Sequence, residues 1–135
     1  LIAEDDRPIA TALSLRLKAA GYETTLAHDA LTAVSTAVQC RPDLALLDVS
    51  LPAGNGFSVA ERLQSLLTPP PSLIFLTASK EPGLRQRAEA VGASGFFEKP
   101  CRADQLLGAI QEALATSSMS RAAYKTKEPD FSGSW

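Results

Sequence analysis

Short apolar runs alternate along the chain with longer segments in which apolar residues recur every three or four positions. Five runs have the length and composition of β-strands: residues 1–4 (LIAE), 23–27 (ETTLA), 44–47 (LALL), 73–76 (LIFL) and 95–98 (GFFE). The third and fourth runs show no polar alternation, which is typical of strands covered on both faces. The pattern therefore predicts five strands, with a fully buried centre.

The segments between these runs have helical spacing. They predict helices over 7–22, from a cap at Asp29 to residue 38, over 57–67, within 81–91 and over 103–115. In the first helix, Ile9, Leu13, Leu17 and Ala20 would form the face toward the core.

Strict alternation of strands and helices predicts right-handed crossovers and a parallel sheet. We therefore expect an α/β domain with a doubly wound five-stranded parallel sheet and helices on both faces. After residue 115 the composition shifts to Ser, Lys and turn-forming residues. This predicts a domain over 1–115 and a linker or flexible C-terminal tail over 116–135, although the last helix could continue as far as Tyr124.

Composition narrows the class of function. The chain is 45% hydrophobic and 21% charged, as in a soluble globular domain, and its net charge of −2 gives no electrostatic case for nucleic-acid binding. No apolar run approaches the roughly 20 residues that cross a bilayer. Cys40 and Cys101 have neither metal-ligand nor redox spacing, so we expect free thiols and a cytoplasmic protein. Because Leu1 already lies within an apolar run, we expect the natural chain to begin some residues earlier.

Polar residues follow the predicted strands at one end. Glu4 and Asp5 lie at the end of the first strand, whereas Asp48 follows the third strand, Thr77 the fourth and Lys99 the fifth. In an open parallel sheet, ligands bind beyond the carboxyl ends of the strands. The sequence therefore predicts a site where carboxylates, a hydroxyl and an ammonium meet.

The residue types at this edge indicate phosphoryl chemistry. Clustered carboxylates are stable together around a hard divalent cation such as Mg²⁺. A carboxylate flanked by a metal and a lysine can attack phosphorus while the cations neutralise the transferring oxygens. Thr77 could donate a hydrogen bond to one phosphoryl oxygen, and Gly54 and Gly56 would let the loop after Asp48 approach the ligand.

The motifs EDD, LLDVSLPAGNG, LTA and FFEKP, in this order, resemble those of the receiver domain of bacterial two-component response regulators. The resemblance covers residues 1 to about 115. It implies a flavodoxin-like fold and a phosphoacceptor signalling domain rather than a metabolic enzyme. It also implies that a sensor histidine kinase or a histidine phosphotransfer protein is the phosphodonor.

By this resemblance, Asp48 is the phosphoacceptor. Glu4 and Asp5, with Asp48 and the backbone carbonyl of Ser50, would hold Mg²⁺. Three consecutive acids leave a choice between Glu4–Asp5 and Asp5–Asp6. Counting back from the first helix favours Glu4–Asp5, and Asp6 would then lie near the helix N-terminus, where its charge is favourable.

The resemblance also implies roles for residues of the fourth and fifth strands. Thr77 and Lys99 would contact the phosphoryl group, and Lys99–Pro100 would be a cis peptide. Phe96 falls at the position of the family's switch aromatic, which is often Tyr. Phe96 has no hydroxyl, so ordinary packing remains an alternative interpretation of this residue.

Several functions remain open. The resemblance suggests control of transcription; the alternatives are a receiver module of a hybrid histidine kinase and a stand-alone or degenerate docking receiver. We expect a homodimer through the face of the fourth helix, fifth strand and fifth helix, with no direct contact to nucleic acid or membrane. A dinucleotide binder would need a glycine-rich turn after the first strand, where this chain has EDDRPI. A haloacid-dehalogenase-like phosphatase would carry an Asp-x-Asp motif after its first strand. In this chain Asp48 follows the third strand, and Ser50 stands at the position of the second Asp.

Overall fold

The computed structural model describes residues 1–116. Most of the predicted tail and the extension of the last helix to Tyr124 lie outside the described residues. In chain order the elements are β1 (Ile2–Ala3), α1 (Arg7–Ala19), β2 (Leu26–Ala27), α2 (Ala30–Cys40), β3 (Leu44–Asp48), β4 (Ser50–Leu51), β5 (Gly54–Asn55), α3 (Gly56–Leu66), β6 (Ser72–Thr77), α4 (Leu84–Ala90) and β7 (Gly95–Glu98). A fifth helix, α5, occupies 103–116.

The main sheet of the described chain has five parallel strands, as predicted, and their order is β2-β1-β3-β6-β7. Successive residues of the central strands belong to opposite cores. Leu47 and Phe75 pack under α2, α3 and α4, whereas Leu46 and Ile74 pack under α1 and α5. All four are at most 1% exposed. Burial on both faces explains why these strands carry no polar alternation.

The strand boundaries differ from the predicted ones in a consistent way. The first two strands are shorter than predicted, and β2 is a sheet edge that can pair on one side alone. The two central strands are longer and include Asp48 and Thr77 as their last residues. Asp48 pairs in register with Leu76. Both polar residues are therefore anchored by the sheet itself rather than by a loop.

The predicted core face of α1 is partly wrong. Leu17 is buried, but Ile9 is 38% exposed, and Ala20 is an exposed residue at the C-cap. Ser14 is buried instead, and its hydroxyl is hydrogen-bonded to that of Thr24 at 2.7 Å. Because this partner satisfies the serine, the helix can bury a polar position and turn an apolar one outward.

The loop after Asp48 is short and tightly folded. β4 and β5 pair antiparallel, and Asn55 then caps α3 in a capping box with Ser58. A Cβ on Gly56 would lie 2.3 Å from the backbone oxygen of Asp48. This glycine is therefore required by the close packing of α3 against the end of β3.

We predict that Gly56→Ala lowers the free energy of unfolding by about 3 kcal/mol, because the new methyl group meets backbone that cannot move aside. Gly108→Ala, in α5, is the matched control. A Cβ there meets nothing within 4 Å, so we expect a gain of about 0.5–1 kcal/mol from helix propensity. Urea unfolding of both variants measures the difference, and equal effects would contradict the packing explanation.

Candidate functional site

Asp48 lies at the centre of the site and is 7% exposed. Its Oδ1 accepts a hydrogen bond from the backbone N–H of Ser50 at 3.0 Å. Its Oδ2 accepts one from the Lys99 ammonium at 2.8 Å. The carboxylate is thus held by one donor on each oxygen, and β3 fixes its backbone.

Glu4 follows β1 and is 2% exposed. Its backbone N–H donates to the Ala27 carbonyl at 3.0 Å, and its own carbonyl lies 2.9 Å from His28 Nδ1. Because a carbonyl can only accept, Nδ1 of His28 carries the proton in this contact. His28, to which the sequence pattern gave no role, therefore helps to position the main chain of Glu4.

The Lys99 ammonium bridges two buried carboxylates, since it donates to Glu4 as well as to Asp48. Burial lowers the pKa of Lys99, but the hydrogen bonds with Asp48 and Glu4 outweigh burial and raise it above the ordinary value. The backbone N–H of Lys99 donates to the Thr77 carbonyl at 2.7 Å, and the bond to Pro100 is cis. Lys99 is therefore a fixed cation at the site.

The negative charge of Glu4 is disfavoured at this site. Burial raises the pKa of Glu4 to about 7, and its interaction with Asp48 adds to the rise, whereas Lys99 opposes it. The positive charge of Lys99 thus does not fully offset the effects of burial and of Asp48 on the carboxylate of Glu4.

Glu4, Asp5 and Asp48 each offer a carboxylate oxygen, and these oxygens lie within 4.8 Å of one another. Asp6 does not join this group, because its carboxylate caps α1 and accepts from the backbone N–H of Ile9. With all three carboxylates ionised, the cluster and the Lys99 ammonium carry a formal charge of −2. A hard divalent cation with a preference for oxygen ligands fits this donor set, and Mg²⁺ is such a cation.

Thr77 ends β6 beside Asp48 and is fully buried. Its Oγ1 accepts a hydrogen bond from the backbone N–H of Ser79 at 2.9 Å. Because a hydroxyl can accept and donate at once, its hydrogen remains available to a second acceptor.

Phe96 lies on β7 at the edge of the sheet and is half-buried. It pairs in register with Phe75, two residues before Thr77, so Phe96 and Thr77 share one face of the sheet. The guanidinium of Arg85, in α4, lies 4.9 Å from the centre of the Phe96 ring. Sequence reasoning placed Arg85 among the charges of the predicted dimer face but did not predict this contact, because the contact depends on how α4 packs beside β7.

Comparison with known sequences agrees with this geometry. The family described as "Response regulator receiver domain" matches residues 1–111. "Transcriptional regulatory protein DltR" of Streptococcus agalactiae serotype III (strain NEM316) is 36% identical over 124 residues, which covers 90% of this chain and 54% of DltR. The chain spans about half the length of the curated relatives it matches.

Solved structures of receiver domains share the fold. The signal receiver domain of a modulated diguanylate cyclase from Desulfovibrio desulfuricans G20 matches with a TM-score of 0.79 and 33% identity, covering 88% of this chain and 94% of that one. A CheY-like response regulator receiver domain protein from Methanospirillum hungatei JF-1 matches with a TM-score of 0.80 and 25% identity over the same shares. These matches confirm the predicted receiver-type fold. Within residues 1–116, no helix has the length and apolar character that a membrane span requires.

We predict that Lys99→Met lowers the free energy of unfolding in metal-free buffer by about 3 kcal/mol, since breaking a buried pair leaves uncompensated charge. The lower end of the usual range applies because the Lys99 side chain is 17% exposed. Lys80→Met is the control, because Lys80 pairs with Glu98 at the surface and should change stability by less than about 1 kcal/mol. Denaturant titration of both variants tests this, and similar losses would contradict a special role for Lys99.

Proposed function

This chain belongs to the family of response regulator receiver domains, and on that basis we propose that Asp48 accepts a phosphoryl group from a histidine in a two-component phosphorelay. Receiver domains are phosphoacceptor signalling modules rather than metabolic enzymes. The donor would be the phosphohistidine of a sensor histidine kinase or a histidine phosphotransfer protein. The observation that carries the proposal is the Lys99 ammonium bound to Asp48 beside the Glu4–Asp5–Asp48 cluster.

The proposed transfer is a displacement at phosphorus. A carboxylate oxygen of Asp48 forms a bond to phosphorus while the bond from phosphorus to the histidine nitrogen breaks, and the imidazole keeps that electron pair. Lys99 is positioned to pair with a phosphoryl oxygen, and the free hydrogen of the Thr77 hydroxyl can be donated to another. These contacts would stabilise the aspartyl phosphate that results.

We assign Glu4, Asp5, Asp48 and the backbone carbonyl of Ser50 as the magnesium ligands. The carboxylate oxygens of Glu4, Asp5 and Asp48 lie within 4.8 Å of one another, which supports this assignment for the three side chains. When bound, Mg²⁺ would neutralise charge on the phosphoryl oxygens. The Lys99 ammonium and the backbone N–H of Ser50 would orient Asp48.

The proposed response to phosphorylation begins at Thr77. If its hydroxyl moves toward the phosphoryl group, it vacates space on the face that it shares with Phe96, and the Phe96 ring can turn inward. This would reshape the surface formed by α4, β7 and α5. Burying one aromatic side chain stabilises by about 1.5–3 kcal/mol, enough to shift a two-state equilibrium without completing it. A homodimer through this surface, tightened by phosphate, is the proposed consequence.

For the output we propose control of transcription, supported by DltR and other relatives that are named as transcriptional regulators and are about twice as long as this chain. The alternative is the receiver module of a hybrid kinase or a docking receiver. A receiver in a diguanylate cyclase shows that such domains also occur with other outputs. Residues 1–115 would form the phosphoacceptor domain and 116–135 a linker or flexible C-terminal tail. The free thiols of Cys40 and Cys101 support a cytoplasmic location.

We predict that acetyl phosphate with Mg²⁺ adds one phosphate to the wild type and none to Asp48→Asn, because the amide is not a nucleophile for this reaction. Asp104→Asn is the control, since Asp104 is exposed and paired with Arg102 away from the site. Intact-protein mass spectrometry measures the phosphate content. Undiminished labelling of Asp48→Asn would refute the assignment.

We predict that Asp5→Asn weakens Mg²⁺ binding about tenfold or more, equal to at least roughly 1.4 kcal/mol, because it removes a ligand charge. Asp6→Asn should bind Mg²⁺ like the wild type, since Asp6 caps α1 and asparagine caps equally well. Calorimetric titration and the Mg²⁺-dependent rise in melting temperature give the affinities. Loss of binding in Asp6→Asn alone would show that the other acidic pair is used.

A further inference from the structure

Arg85 is the second residue of α4, and its exposed guanidinium covers one face of the half-buried Phe96 ring. An ammonium or guanidinium within about 6 Å of an aromatic centroid is attracted by the electron density of the ring face. Phe96 has no hydroxyl that could form a hydrogen bond in either position. The contact with Arg85 therefore supplies the polar interaction that a tyrosine at this position would obtain from its own hydroxyl.

A second contact joins the same two elements. Lys80, in the loop between β6 and α4, pairs with Glu98 of β7 at 2.9 Å. The hydrogen bond from Lys80 is the main cause of a lowered pKa of Glu98, and the charge of Arg85 contributes in the same direction. Two cations from the loop and the start of α4 thus face the strand that carries Phe96.

We propose that Arg85 is a positioning residue for Phe96: its guanidinium holds the ring in the half-exposed position and must leave before the ring can turn inward. This inference rests on the proposed function, in which Phe96 responds to phosphorylation of Asp48. It adds the element that sets the balance between the two ring positions in the unphosphorylated protein.

The covalent path from the site to Arg85 is short. Thr77 and Ser79 share a hydrogen bond at the start of the loop that carries Lys80 and leads into α4. A movement of the Thr77 hydroxyl toward a phosphoryl group would therefore displace the segment from which Lys80 and Arg85 extend. The same event would open space beneath the ring and loosen the contact above it.

Removing the guanidinium should shift the ring equilibrium by a measurable factor. An exposed cation–π contact corresponds to about a two- to fivefold change in an equilibrium constant. In Arg85→Gln we expect the inward position to gain population by this factor. Beryllofluoride is a phosphoryl mimic that binds with Mg²⁺. Its apparent affinity should increase by up to the same factor, because a larger fraction of the protein already has the ring in the inward position.

The experiment uses the full chain labelled with fluorophenylalanine, with the Phe96 resonance identified by its absence in Phe96→Leu. Fluorine NMR then reports the ring environment with and without Mg²⁺ and beryllofluoride, at dilutions where sedimentation shows monomer. Arg87→Gln is the matched control: it removes the same charge from the same helix, but its guanidinium covers the buried Phe57 ring at 4.2 Å. Arg85→Lys keeps a cation above Phe96 and should restore most of the wild-type behaviour.

The proposal is supported if the ligand-free Phe96 resonance of Arg85→Gln moves toward the beryllofluoride-bound wild-type position, while Arg87→Gln and Arg85→Lys stay near the ligand-free wild type. Equal resonances and equal affinities in Arg85→Gln and Arg87→Gln would overturn it. A wild type that binds no beryllofluoride would instead refute the proposed function. In that event Phe96 would have no phosphoryl-driven response for Arg85 to regulate, and the inference would fall with it.

Discussion

The salt bridge from Lys99 to both Glu4 and Asp48 is the interaction on which the site depends. It joins residues at the carboxyl ends of β7, β1 and β3, which are separated by as many as 95 positions in the chain. Without it, two buried carboxylates would face each other in a region of low dielectric constant, where like charges repel strongly. The parallel sheet brings these strand ends together, and the positive charge of the lysine reduces the repulsion between the two carboxylates.

The compensation is incomplete, and this shapes the chemistry. A pKa of about 7 for Glu4 shows that burial near Asp48 disfavours its charge even with Lys99 present. An anionic cluster whose charge is only partly neutralised can bind a divalent cation. A divalent cation next to a fixed lysine can in turn bind a phosphoryl group. Under the proposed function, this charge imbalance favours a metal ion at the edge of the sheet where the phosphoryl group would be transferred.

The two sides of the site differ in how firmly they are built. Asp48 and Thr77 end central strands whose side chains fill both cores, so their backbones are fixed. Phe96 lies on an edge strand, half-buried and covered by the exposed Arg85. If Asp48 accepts the phosphoryl group as proposed, a chemical change at a buried strand end would lie beside a partly exposed edge strand, whose surface it could alter.

Alternation of strand and helix patterns was enough to predict the doubly wound sheet, because parallel strands direct their carboxyl ends to one edge whatever the details of packing. The site residues followed from their positions at those ends. Their pairing did not: the roles of His28 and Arg85 rest on contacts between elements distant in sequence. Burial of Ser14 in α1 depends on its hydrogen bond with Thr24. The need for glycine at position 56 depends on the nearby backbone of Asp48. Periodicity records which residues are apolar, whereas only the packed structure supplies the partner that lets a polar group be buried or requires a glycine.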